Sequence, residues 1–277
     1  MNLPKITNKQ REIIELLFVF RFLNRVQIQY LMNHKDKKRT ITWLKDLRDK
    51  DYVNWIYSDH FLEKTKPAIY YLGVNGIRYL RTIEDTEGNQ YYPETELRKR
   101  YREHDRSRGF IDRSILTADC YIKLKQKTSQ NVHYEAYTQA QYMLTEYNDR
   151  FTEDDSPKPD LLIIKTEQGN ITNYLLEIID DTLPRYRLRS RLKAYVNYLN
   201  LDYWDSNDND PQPIVLVAIP KLTDLIYTKR KVKRLLDDEY YGEIPDDIHI
   251  RFATTDQLKT KGITASIWAE RRNIYDT

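Results

Sequence analysis

The chain holds a single cysteine, Cys120, in 277 residues. One thiol excludes an internal disulfide and any cysteine-rich zinc site. Within ILTADCYIKL, on an expected helix, it reads as a small core residue. Histidine is also sparse: His34, His60, His104, His133 and His249 are scattered without ligand spacing, so none is assigned to a metal. Only 7 Gly and 10 Pro occur, against 40% hydrophobic and 31% charged residues, which excludes a low-complexity linker and fits a folded chain. No apolar run approaches the roughly 20 residues that a membrane helix needs, and MNLPKITNKQ lacks the apolar stretch of a secretion signal. The expectation is a cytoplasmic protein, long enough for two domains with separate cores.

Charge is present but uneven. The net charge is +3, yet residues 1–110 carry 22 Lys and Arg against 15 Asp and Glu, leaving the remainder net acidic. A basic first part points to an anionic partner, most simply nucleic acid.

Thr7 and Asn8 can cap a helix with Ile13, Ile14, Leu17, Phe18 and Phe20 near helical spacing. A second short helix follows Asn24. In HKDKKRTITWLKDLRDKDYV, Ile41, Leu44 and Leu47 form an apolar stripe, while Lys37, Lys38, Arg39, Thr40, Thr42, Trp43, Lys45 and Arg48 occupy the rest. Then YVNWIY (52–57) and AIYYL (68–72) read as a hairpin around a loop bearing Lys64 and Lys66. Three helices and a hairpin give the order of a winged helix, whose third helix enters the major groove. Double-stranded DNA is the expected partner, met by Lys37–Trp43, Lys45, Lys64 and Lys66. The alternative is a solvated helix face.

The run Arg98, Lys99, Arg100, Arg102, Arg106 and Arg108 is too basic for a core. It suits either a helix along a phosphate backbone or a solvated linker. The expected division is therefore a winged-helix domain over 1–85, a basic connector over 86–110 and an α/β domain over 111–277.

In the last part a helix with Ile111, Ile115, Ala118 and Ile122 precedes strands at 132–136, 161–167 and 171–179. A helix over 184–200, the apolar run IVLVAI (214–219), a basic helix (222–236) and the strand IHIRFATT follow. Strands alternating with helices predict a mixed central sheet flanked by helices. A two-residue turn at Gly169-Asn170 would set Asp160 opposite Ile179, one same-face step from Glu177. A one-residue shift of that turn is expected to send the two acids to opposite faces.

Two carboxylates that close repel unless a cation lies between them. Mg2+ or Mn2+ held by Asp160 and Glu177 could polarise a phosphodiester and activate water. Alternatively Asp160 caps the strand start and Glu177 pairs with an arginine of the next helix.

Pro159-Asp160 followed at the observed spacing by Glu177 in an apolar strand, and then by a basic helix, resembles the PD-(D/E)xK nuclease fold. The whole chain is similar to the plasmid replication-relaxation family of mobile-element proteins. The matching positions are Pro159-Asp160, Gly169, Glu177, Thr182 and Arg191-Leu192-Lys193-Ala194-Tyr195, with RFLNRVQIQYLM, KKRTITWLKDLRDKDYV and IYYLGVNGIRYL upstream. The likeness spans most of residues 8–200. It implies a DNA-binding protein of a plasmid or mobile element that acts in replication initiation, relaxation or mobilisation, with other replication or mobilisation proteins as further partners and a homodimer compatible. The rival is an active Mg2+-dependent endonuclease or nickase, and a third reading is a transcriptional regulator whose second domain dimerises. Where active PD-(D/E)xK nucleases usually have lysine this chain has Ile179; Arg191 or Lys193 could substitute, and Asp180 could add a metal ligand or cap the helix.

Overall fold

The computed structural model describes residues 3–57, 66–152, 156–204, 210–236 and 248–270. The chain divides into two compact units, Met1–Ile122 and Lys123–Thr277.

In the first unit, helix α1 (Asn8–Phe20) starts at Thr7, whose hydroxyl accepts from the Gln10 amide while the Gln10 side chain accepts from the Thr7 amide. This reciprocal cap satisfies two otherwise orphaned donors. Strand β1 (Leu23–Asn24) leads to α2 (Arg25–Leu31), capped the same way by Asn24 and Gln27. Helix α3 (Lys37–Asp49) begins at Asp36, whose Oδ1 accepts from the amides of Lys38 at 2.8 Å and Arg39 at 3.2 Å. Strands β2 (Val53–Ile56) and β3 (Ile69–Leu72) complete a three-stranded antiparallel sheet of order β1-β3-β2. Helix α4 (Val74–Leu80) follows. Ile13, Ile14, Leu17 and Phe18 are fully buried, as are Ile28, Leu47 and Val53. Each such side chain contributes roughly 1.5–3 kcal/mol through burial.

The stripe on α3 differs from expectation. Thr40 is buried beside Leu44 and Leu47, and Ile41 is exposed. The set 40, 44, 47 follows one helical face, and Thr40 tolerates burial because its hydroxyl donates to the Asp36 carbonyl.

The basic run is likewise not uniformly solvated. Helix α5 (Glu94–Arg100) buries Glu96, Leu97 and Arg100, while the Arg98 side chain points outward. Arg100 donates to the Phe18 carbonyl at 3.2 Å, lies over the Phe18 ring and faces Glu96 at 3.5 Å. Burial, then the charge of Arg21, lowers its pKa to about 10, so it stays charged at neutral pH. Glu103, also buried, takes a two-pronged bond from Arg21 at 2.7 and 2.9 Å. Helix α6 (Arg108–Lys127) closes the unit, with Ala118 and Cys120 buried, and the Gln27 side chain donates to Asp119 and to the Ile115 carbonyl.

The second unit has β4 (Val132–Thr138), α7 (Gln139–Tyr142), β5 (Leu161–Glu167), β6 (Asn170–Ile178), α8 (Arg185–Asn200), β7 (Ile214–Ile219), α9 (Leu222–Leu236), β8 (Ile250–Thr254), α10 (Thr255–Lys261) and β9 (Ala269–Glu270). They form a six-stranded mixed sheet in sequence order, parallel at β6-β7-β8 and antiparallel elsewhere. Leu162, Leu175, Val215, Val217 and Phe252 share one face and pack with Leu192 and Val196 of α8 and Leu225 and Val232 of α9. Among the described residues no helix is long and apolar enough to cross a membrane.

The β5–β6 turn is Gln168-Gly169, both with positive φ, rather than Gly169-Asn170. Two left-handed residues match the twist of the flanking strands, which is why the turn sits there. Sliding a two-residue turn by one position changes each partner by two. The faces are therefore preserved, contrary to expectation, and only a change in turn length would exchange them. The ladder ends at Leu161 paired with Leu176, and Asp160 then bonds to the backbone of Leu176 and Ile178, on either side of Glu177, instead of standing opposite Ile179.

Candidate functional site

Glu177 lies near the end of β6 and is 3% exposed. Such a carboxylate needs compensation, and α8 supplies it from two residues one helical turn apart. Arg191 Nη1 stands 2.5 Å from Glu177 Oε1, and the Tyr195 hydroxyl donates to Oε2 at 2.9 Å. Burial first, and the Glu177 charge second, raise the Tyr195 pKa well above its ordinary value, so the phenol remains a donor at neutral pH. Asp160 turns back onto β6: its amide donates to the Leu176 carbonyl and its Oδ2 accepts from the Ile178 amide, both at 2.7 Å.

The other sequence candidates fall away from this cluster. Lys193 is exposed and lies about 200° around the helix from Arg191. Ile179 is buried in the core against α8 and α9. Asp180 accepts from the Thr182 amide and hydroxyl, organising the turn that precedes α8.

A divalent ion needs carboxylate oxygens turned toward a common point. Here both Glu177 oxygens are engaged by α8, one Asp160 oxygen is spent on backbone, and the compensating positive charge comes from Arg191. Among the described residues no group of three or more His, Cys, Asp or Glu is arranged to hold a metal. The residues as placed do not fit Mg2+ or Mn2+.

The second candidate site is the start of α3. Lys38, Arg39, Thr42 and Lys45 are exposed there on the side away from Leu44 and Leu47, and Lys37, the first residue of the helix, is exposed at its end. Thr40 is turned inward, so it is not part of that surface. Trp43 is half-buried, with the His34 ring edge-on at 4.8 Å and the Arg39 guanidinium 5.9 Å from its centroid. Lys66 is exposed, and Lys64 lies outside the described residues. Two aromatics escaped the sequence reading: Trp55 and Tyr57 are exposed and stacked at 5.3 Å, with Arg48 over Trp55 at 4.1 Å. Their spacing of two in a short strand, which places side chains on one face, was the available signal.

No curated protein matches the chain. Two solved structures of the restriction endonuclease FokI, one bound to DNA, are similar at 12% and 13% identity, each with a TM-score of 0.31. Both alignments cover 95% of this chain but 47% and 48% of the endonuclease chains, so the chain spans about half their length. A likeness this distant carries no argument about fold or activity. Residues 14–211 match the family described as replication-relaxation, a span that takes in both α3 and the Glu177–Arg191–Tyr195 cluster. The chain belongs to the replication-relaxation family.

Proposed function

We propose that the chain is a sequence-specific duplex-DNA-binding protein of a plasmid or other mobile element, acting in replication initiation, DNA relaxation or mobilisation. Family membership supports a role in replication or relaxation. The order α1-β1-α2-α3-β2-β3 with a β1-β3-β2 sheet supports reading the first unit as a winged helix, with α3 as the helix that enters the major groove. The observation that carries this is the exposed cationic start of α3, held in helical form by the Asp36 cap and backed by buried Leu44 and Leu47.

For the second unit, the mixed sheet with Asp160 beside Glu177 supports a PD-(D/E)xK-like descent. Arg191 and Tyr195, by engaging both Glu177 oxygens, favour a binding or scaffolding role for that unit over metal-dependent cleavage.

The test is duplex binding by fluorescence anisotropy across about 50 to 200 mM salt. Affinity should fall steeply with salt, and the slope should shrink by about 0.9 for each phosphate contact removed in Lys37→Ala, Lys38→Ala and Arg39→Ala. Binding indifferent to salt and to all three changes would remove the assignment.

A further inference from the structure

A cavity of about 380 Å3 opens within the second unit, on the sheet face turned away from Glu177. The register builds it. Tyr134 stands opposite Lys165, Tyr174 opposite Ile163, and Leu216 opposite Arg251. All are an odd number of strand positions, or an equivalent paired step, from the Glu177 face, so they project together on the other side. The floor is apolar, formed by Ile163 and Leu216, and Trp268 lines the wall with its indole Nε1 donating to the Ile263 carbonyl at 2.8 Å. Carboxylates hold the two cations in place: Lys165 against Glu167 at 2.5 Å and Arg251 against Glu270 at 2.7 Å.

The lining limits the occupant. A purely apolar ligand would leave the polar part of the lining, Lys165, Arg251, Thr264 and Ser266, without a hydrogen-bonding partner in the occupant. A bare anion would leave the floor and three aromatic rings unused. A planar aromatic ring carrying an anionic group engages both, through base stacking on Tyr134, Tyr174 or Trp268 and charge-assisted hydrogen bonds to the cations. The volume falls near the lower end of small-molecule sites, which fits one such unit.

We propose that this cavity binds a single nucleotide, base against the aromatic rings and phosphate toward Lys165 and Arg251. The nucleotide is either free or one unit of a single strand. The site is separate from α3 and does not depend on the duplex-binding reading.

The test uses the full chain with two probes, thymidine monophosphate and a short labelled oligodeoxythymidylate, read by tryptophan fluorescence and anisotropy. At least one probe should bind saturably, and Tyr174→Leu, Lys165→Gln and Arg251→Gln should each weaken it about tenfold, the order expected for loss of one stack or charged contact. Tyr174→Phe, which keeps the ring, should bind like the parent chain. Binding of both probes, of the oligonucleotide alone or of the mononucleotide alone supports the site and names its source. Duplex affinity measured on the same variants should not change, which separates this proposal from the role of α3. Binding of neither probe, or binding untouched by all three substitutions, overturns it.

Discussion

Arg191 of α8 delivers the counter-charge for Glu177 of β6 across 2.5 Å, so the acid near the end of an apolar strand is compensated from within its own unit. Removing the arginine takes the counter-charge from a buried carboxylate that keeps the Tyr195 hydroxyl as a donor. A fully buried pair broken this way loses roughly 3–5 kcal/mol, and because the Arg191 side chain is 36% exposed, Arg191→Ala should lose about 2 kcal/mol. Adding Glu177→Gln to that variant should recover most of the loss, since a neutral amide needs no counter-charge. Urea unfolding midpoints measure both. Full stability of Arg191→Ala alone would contradict the compensating role.

Supercoiled DNA incubated with the chain and Mg2+ or Mn2+ should remain unnicked. Asp160→Ala and Glu177→Ala should leave that outcome unchanged, because the two acids are spent on Ile178, Arg191 and Tyr195. Nicking abolished by both substitutions would instead assign a nuclease.

Gly76 of α4 packs against the backbone before β2. A Cβ built there would lie 2.3 Å from the Tyr52 carbonyl oxygen, which cannot swing aside as a side-chain tip could. The Asn75 side chain ties the same approach by donating to the Lys50 carbonyl at 2.9 Å. Gly76→Ala should therefore destabilise the first unit by about 1–3 kcal/mol, read as a lower thermal midpoint. An unchanged midpoint would mean the approach relaxes freely.

The Asp36 cap predicts a pH dependence. Hydrogen bonds from the backbone amide of Arg39 first, and of Lys38, hold its carboxyl below the ordinary carboxylate range. A depressed acid contributes above its unfolded pKa of about 3.9, and the contribution disappears as pH falls through the lower folded value. Amide shifts of Lys38 and Arg39 should titrate below about pH 4 in the parent chain. Asp36→Asn keeps an acceptor but no charge, so it should flatten that titration, and an identical profile in the variant would show that Asp36 is not its source.

Local chemistry was the most legible part of the sequence. Thr7 and Asn24 were readable as caps, and the bounds of β5 and β7 emerged from composition alone, because capping oxygens and short β-branched runs act over a few residues. Tertiary choices were less legible. Thr40 and Ile41 both lie within reach of the Leu44–Leu47 face, and packing decided which went in. Arg100 looked too polar for an interior until Glu96 and the Phe18 carbonyl were brought to it. At the candidate site the sequence offered an ion or an arginine as the partner of Glu177. Spacing along α8 could nominate Arg191 but could not orient it. Lys193, equally basic, points away. The nucleotide-sized cavity depends on β8 and residues 263–268 meeting β5 and β6, which no short motif encodes.

The long reach of the buried polar bonds in the first unit bears on how the chain matures during synthesis. Glu103 lies 82 residues from Arg21, and the two partners of Gln27 lie 88 and 92 residues away. At translation rates of about 5–20 residues per second, these early side chains wait on the order of ten seconds for α6 and its neighbours to emerge. Until then the helices near the N-terminus can form but their polar contacts stay with water. The ribosome must release this last segment before the unit locks, so a stall or truncation ahead of Asp119 would yield a loosened, protease-sensitive nascent domain rather than a smaller stable one.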